Sequence, residues 1–403
     1  MQQLSSLERD LIARVDAAPM LHQVLAWSAI NTGTGNLSGL SRQWKALADA
    51  FCALPGAITD LSPEPVQSVA ADGSRCEIAN GSHFVLRVRP EAKRRFLLTG
   101  HMDTVFPANH PFQQTVWRDP QTLNGPGTAD MKGGIAVILA ALKVFESSKS
   151  AKGVGYDILI NSDEETGSLS SAPLIADLAR GKVAALTYEP SALPDGTLAG
   201  ERSGSGNYSV VITGRSAHAG RNPDEGRNAI VAAAALAVRL KAIARDGLAV
   251  NPARIEGGSA NNVVPDHAVL RFNIRPRSSD DTAAFQQHFT ALIAEITAAH
   301  EVACHVHGGI SRPPKPVDAA AEKLFGMVEE CSALLGQPIG RIASGGVCDG
   351  NNIAACGVPV VDTMGVLGGA IHSPDEFLIV SSLEHRAQLS ALVLHRLASG
   401  AIL

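Results

Sequence analysis

Short apolar runs of the kind that form buried strands alternate with longer apolar stretches of helical period through the first half of the chain. RRFLLTG, YDILINS and AALTYEP read as strands, while GGIAVILAALKVF and SAPLIADLARG between them read as helices. This alternation predicts βαβ units and an α/β fold with a mostly parallel sheet flanked by helices. Residues 134–145 are apolar nearly all round, as a helix packed on such a sheet requires.

The pattern changes near residues 190–202, where SALPDGTLAGERSGSG is rich in turn formers. YSVVITG then alternates like a half-exposed strand, followed by a helix (AIVAAAALAVRLKAIAR), the strand HAVLRFNIRP, a helical stretch and the strand-like VACHVHGG. The order predicts a compact β-α-β-β-α-β unit, a ferredoxin-like α+β domain inserted into the first one. The expected division is 1–202 for the first part of the larger domain, 203–310 for the insert and 311–403 for the second part. SRPPKP is the expected return crossing. Beyond it a helix (AAAEKLFGMVEECSALLG), the turn-rich ASGGVCDGNN, the strand VPVVDTMG and a last helix complete the larger domain.

Composition narrows the function classes. A chain of 403 residues is long enough for about two or three domains with real cores. Aromatics at 4% and a formal net charge of -5 argue against a nucleic-acid binder. No stretch is apolar and long enough to span a bilayer, and the start lacks the basic and apolar pattern of a secretion signal, so the expected compartment is the cytoplasm. The six cysteines are scattered without CxxC spacing, which suits reduced thiols better than disulfides or a thiolate metal site.

The chemistry lies just beyond the strands, where ligands bind in open α/β sheets. His101 and Asp103 follow RRFLLT; the ring can present one nitrogen to a metal while the aspartate accepts the other N–H. Alone, the pair is also compatible with an ordinary turn histidine. Asp130 arrives on the glycine-crowded loop NGPGTADMKGG, where it is either a helix N-cap or a ligand brought in by a backbone free to approach closely. That loop has neither a GxGxxG nor a Walker spacing. Asp163, Glu164 and Glu165 follow YDILIN; three consecutive acids make either a solvated turn or a cation site in which one glutamate binds metal and the other serves as general base. Glu189 follows AALTY, and His372 follows VPVVDTMG and VLGGAI. Taken together, His101, Asp130, Glu165, Glu189 and His372 form a nitrogen and oxygen donor set without thiolate, suited to two Zn²⁺ ions bridged by one aspartate.

As an ordered set, GHMDTVFP, GPGTADMKGG, SDEETGS, YEP, SAHAG and the late HS resemble the dinuclear-zinc peptidase family that contains glutamate carboxypeptidase, aminoacylase, acetylornithine deacetylase and succinyl-diaminopimelate desuccinylase. The resemblance extends from about residue 21 to 397. It implies a zinc-exopeptidase sheet with an inserted lid and dimerisation domain, and two Zn²⁺ ions for which cobalt can substitute. It also implies roles: His101 and Glu189 on one zinc, Glu165 and His372 on the other, Asp130 as the bridge, Glu164 as general base and acid, and Asp103 as the partner of His101. His218 of SAHAG resembles the histidine that reaches the neighbouring subunit's site and polarises the scissile carbonyl. Asn262 and Arg275 resemble binders of the substrate carboxylate, with Arg312 and Gly369 as further substrate-binding candidates.

One departure from the family is Cys348, where many relatives carry Ser or Thr; a thiol is the weaker donor, and it is not needed as a nucleophile. The expected function is release of a carboxyl-terminal Glu or Asp from a peptide, oligo-acidic or N-acyl substrate by a homodimer joined through the insert. The alternatives are deacylation of N-acyl amino acids and, from another class, a catalytically silent binding or dimerisation protein.

Overall fold

The computed structural model describes residues 3–400. Its central sheet has six strands in the order Ala57–Leu61, His83–Val88, Gly155–Asn161, Arg95–His101, Ala184–Thr187 and Val360–Val361. The last four run parallel, and the first two are added at one edge through antiparallel pairings, with His83–Val88 alone reversed.

Both faces are covered, and the period-two pleat sorts the side chains between them. Phe96 and Leu98, Ile158 and Ile160, and Phe84 and Leu86 join the main core, with residues of the helices Gly134–Glu146, Ala17–Ser28, Ala319–Leu334 and Ser382–Ala398. The intervening Leu97, Leu159 and Val85 face the other way, onto the helices Ala172–Ala179 and Asp349–Ala354. This double covering explains why the strands read as unbroken apolar runs and why the helix Gly134–Glu146 shows so little polar surface.

Residues 205–312 build a second unit of four antiparallel strands, in the order Leu248–Gly257, His267–Pro276, Ser205–Thr213 and Ala303–Arg312. On one face Tyr208, Val210 and Ile212 pack with the helices Ala229–Ala242 and Ser279–His300. Tyr208 stacks on Phe272 at 5.0 Å between ring centres. The strand Leu248–Gly257 completes the expected β-α-β-β-α-β order but was not located by pattern. Its NPAR centre breaks the alternation, and the register shifts between Pro252 and Arg254. An edge position tolerates that proline because no neighbour needs its N–H.

A hairpin of the larger domain, Val66–Val69 with Arg75–Ile78, covers part of the other face of this sheet. Val69, Val211 and Val269 form a small apolar cluster there, and the Arg271 guanidinium donates to the Val69 carbonyl at 2.7 Å. The two crossings between the units are tied together. Arg202 and Lys315 exchange backbone hydrogen bonds of 2.9 Å, and both side chains grip the buried Asp362, at 2.8 and 3.2 Å. Among the described residues no helix is long and apolar enough to cross a membrane.

Candidate metal centre and active site

Three adjacent parallel strands end at one rim and deliver the first side chains. His101 closes its strand opposite Asn161, Glu164 opens the short turn Glu164–Thr166, and Glu189 lies two residues past Thr187. The His101 ring is fully buried, and its Nδ1 donates to the Asp103 carbonyl at 3.0 Å. A carbonyl can only accept, so that bond fixes the tautomer of the neutral ring and leaves the Nε2 lone pair free for a metal. Nε2 faces Asp130 Oδ1 at 3.0 Å and Glu189 Oε2 at 3.6 Å. Asp103 also accepts from the backbone N–H groups of Glu164 (3.2 Å) and Glu165 (3.1 Å) and from the Thr34 hydroxyl (2.9 Å). One carboxylate thereby positions the ring and the loop that carries both glutamates.

Asp130 and His372 come by a different route. Both flank a small antiparallel sheet made of Val116–Asp119, Thr122–Asn124, Gly368–Gly369 and Phe377–Ile379, so the donors converge from two sheets and not from the rim of one. The peptide between Asp130 and Met131 is cis. Asp130 Oδ2 faces His372 Nε2 at 3.3 Å, and the same nitrogen is 3.1 Å from Glu165 Oε2. His372 has φ of 62°, a left-handed conformation that a non-glycine residue holds only where its surroundings require it.

The two oxygens of Asp130 thus serve two separate histidine–carboxylate pairs. Tetrahedral zinc with ligands at about 2.0–2.1 Å needs donors about 3.3 Å apart, and the pairings among these five side chains span 3.0 to 3.6 Å. The charge balance points the same way. Burial, and next the charge of Asp130, push Glu165 up to about 7, and burial also raises Glu164 and Glu189. Hydrogen bonds to Asp130 and Glu165 hold the His372 imidazolium up to about 11. A buried cluster this rich in carboxylates is short of positive charge, and divalent cations would supply it. The donor set fits metal.

Glu164 stands apart. Its donor atoms group with those of His101 and Glu189, yet its Oε1 is 2.6 Å from an Arg312 nitrogen. Arg312 also donates to the Glu164 carbonyl (2.9 Å) and the Ser168 hydroxyl (2.8 Å) and lies 3.5 Å from Asp349. It lines the site, and its guanidinium is committed to the loop of Glu164. Asp163, the first of the three acids, turns inward and accepts from Ser170 and Ser171, which shapes that loop.

Asp130, Glu164, Glu165, Glu189, Arg312 and His372 border a cavity of about 570 Å³, and His101 and Asp103 lie buried behind it. Its far wall includes Arg202, Arg275 and the loop 344–348. Arg275 is half-buried; it donates to Asn273 at 3.0 Å and has no carboxylate partner among the described residues. Cys348 caps the helix Asp349–Ala354, its sulfur accepting from Gly350 N–H at 3.3 Å, and burial holds the thiol well above its usual range. It is a cap and not a thiolate. Gly369 sits in its short strand with the Phe377 ring 3.0 Å from where a Cβ would stand, outside the cavity lining. His218 and Asn262 are exposed neighbours on the inserted unit, joined by the Ala219 N–H to Asn262 carbonyl bond of 2.9 Å, and neither reaches the cavity of its own chain.

Two supporting residues have roles that no sequence pattern signals. Glu376 accepts from the N–H groups of Gly127 (3.1 Å), Ala129 (3.0 Å) and Asp130 (3.0 Å), gripping the turn that presents the shared carboxylate. Its only trace in the sequence is an acid four residues past His372. Lys132 is buried and donates to the carbonyls of Trp27 (3.0 Å) and Ile30 (2.9 Å), fastening the same turn to the amino-terminal helices.

Residues 97–396 match the profile of Peptidase family M20/M25/M40. The chain belongs to this family. Among its relatives, carboxypeptidase G2 of Pseudomonas sp. (strain RS-16) is 29% identical over 92% of this chain and 87% of its own. The succinyl-diaminopimelate desuccinylase of Xanthomonas oryzae pv. oryzae is 29% identical over 75% of this chain and 83% of its own. The fold is shared with a tripeptidase from Staphylococcus aureus subsp. aureus mu50, at a TM-score of 0.73 and 24% identity over 96% of this chain and 100% of that one. As an M20/M25/M40 peptidase, the protein is a hydrolase of peptide or N-acyl amide bonds with candidate metal-binding clusters in its site.

Proposed function

We propose that this M20/M25/M40 peptidase is a two-zinc carboxypeptidase that releases an acidic amino acid from a peptide or N-acyl substrate. The observation that carries the reading is the division of the Asp130 carboxylate between His101 with Glu189 and His372 with Glu165, beside a glutamate that neither pair uses. His101 and Glu189 would hold one ion, His372 and Glu165 the other, and Asp130 both; cobalt should substitute for zinc. Zinc in such a donor set supplies Lewis acidity, lowering the pKa of water and polarising a carbonyl.

The remaining work falls to side chains. Glu164 takes the proton of the attacking water and returns it to the leaving nitrogen, while Arg312 holds its carboxylate in place. Asp103 keeps the His101 proton on Nδ1, so that the Nε2 lone pair faces the metal position. Arg275, with a guanidinium unclaimed by any acid among the described residues, binds the carboxylate of the leaving amino acid. The exposure of His218 and Asn262 supports a homodimer in which the inserted unit of one chain supplies an oxyanion contact to the other.

The likeness to a desuccinylase favours a second reading, deacylation of N-acyl amino acids. Steady-state hydrolysis of N-acyl-glutamate, N-acyl-aspartate and N-acetylornithine separates the two. The acidic pair should be preferred, and Arg275→Ala should raise KM for them about 30-fold or more, the equivalent of about 2 kcal/mol for a buried charge contact. Cleavage of N-acetylornithine alone would replace the carboxypeptidase reading with the deacylase one.

A further inference from the structure

Among the described residues three arginines are buried, and acids answer two of them. Arg202 pairs with Asp362 at 2.8 Å and Arg312 with Glu164 at 2.6 Å. The third, Arg386 on the last helix Ser382–Ala398, is only 3% exposed and has no ion-pair partner among the described residues. Its Nη2 donates to the Gly196 carbonyl at 2.8 Å, and its Nη1 has no hydrogen-bond partner. Burial pushes the guanidinium down to about 10, with no carboxylate near enough to raise it again, so it is still a cation at neutral pH. A buried charge without a counter-charge is among the costliest groups a fold can carry.

Arg386 borders a cavity of about 250 Å³ that shares no lining residue with the catalytic one. Leu335, Ile339, Leu367 and Leu389 give it apolar walls. Gly196 keeps it open: its φ of 98° suits glycine, and a Cβ there would stand 3.3 Å from both the Arg386 Nη2 and the Ile339 Cγ2. The one acid in the lining, Asp195, is exposed, and its Oδ1 is taken up within its own turn by the Thr197 N–H (2.9 Å) and hydroxyl (2.6 Å).

We propose that Arg386 and this cavity form a binding site, separate from the catalytic centre, for a small organic carboxylate with a short apolar body. The carboxylate would accept from Nη1 and supply the counter-charge that the fold withholds, while the apolar body covers the leucine and isoleucine walls. Inorganic phosphate suits the site less well, because its further oxygens would lose water against those walls without finding donors. The same carboxylate chemistry comes in two forms. An acyl acid would use Arg386 and the walls alone, whereas an apolar amino acid would also turn its ammonium group towards Asp195 at the exposed side.

The test is calorimetric titration of the zinc-loaded protein with 3-methylbutanoate, leucine and inorganic phosphate, with melting temperatures measured on the same samples. Two variants accompany the wild type: Arg386→Leu removes the cation, and Ile339→Trp fills the cavity while leaving the cation in place. At least one carboxylate should bind wild type with a Kd of about 1 mM or tighter and raise its melting temperature. Each folded variant should weaken that binding by about 10-fold or more and lose the thermal gain; if Arg386→Leu does not fold, Ile339→Trp decides. Preference for 3-methylbutanoate identifies an acyl acid and preference for leucine an amino acid, and either supports the site. Absence of carboxylate binding at 10-fold above that Kd, phosphate binding as tight as that of the better carboxylate, or an unchanged Kd in a folded variant overturns it.

Discussion

Glu164→Gln is expected to lower kcat by about 10³-fold or more, within the upper range of what a positioned general base and acid contributes, while metal content and melting temperature stay close to wild type. The side chain sits within reach of His101 and Glu189 but is paired with Arg312 at 2.6 Å, so its neutral isostere removes the proton acceptor without removing a metal donor. Glutamine keeps the shape and can still accept from the guanidinium. Steady-state kinetics with elemental analysis of the same sample checks the outcome. A variant that loses metal would move Glu164 into the donor set, and one that keeps most of its kcat would remove it from the chemistry.

The second large effect belongs to Asp130. Each of its oxygens faces a different histidine, at 3.0 and 3.3 Å, so Asp130→Ala should weaken both ions together. The expected result is a fall from two bound equivalents to fewer than one, with a loss of activity well beyond the about 10- to 100-fold typical of residues that only support a ligand. Glu189→Ala and Glu165→Ala serve as the comparison, since each removes a donor from one side and should leave the other ion more firmly held. Elemental analysis after gel filtration distinguishes the cases. Retention of two equivalents by Asp130→Ala would show that the aspartate is not shared.

How much of this could be read from the chain depended on whether a residue's role was set locally. The strands ending at His101, Asn161 and Thr187 were legible because a doubly covered sheet writes continuous apolar runs into the sequence. Their polar successors therefore stood out as site candidates. His372 was legible only through its place in an ordered family pattern, since the strand before it is two residues long and belongs to another sheet. Glu376 and Thr34 were illegible because each acts on a segment far away in sequence, 246 residues in the case of the Glu376 bond to Asp130. The committed state of Arg312 was hidden for the same reason: an arginine after a strand looks alike whether it awaits a substrate or pairs with Glu164. Cys348 gave a parallel lesson, because a thiol in a glycine-rich loop does not announce that it caps a helix. The edge strand Leu248–Gly257 escaped because Asn251, Pro252 and a register shift erase the alternation that edge positions do not need.

If Asp130 joins two metal sites that together support amide hydrolysis, activity must follow the second equivalent of metal. The most direct test is to strip the protein with a chelator and titrate zinc back while following hydrolysis of N-acyl-glutamate. The apoprotein should be inactive, and activity should rise to a plateau at two equivalents per chain. Full activity after chelation, or a plateau reached at one equivalent, would contradict the two-metal reading.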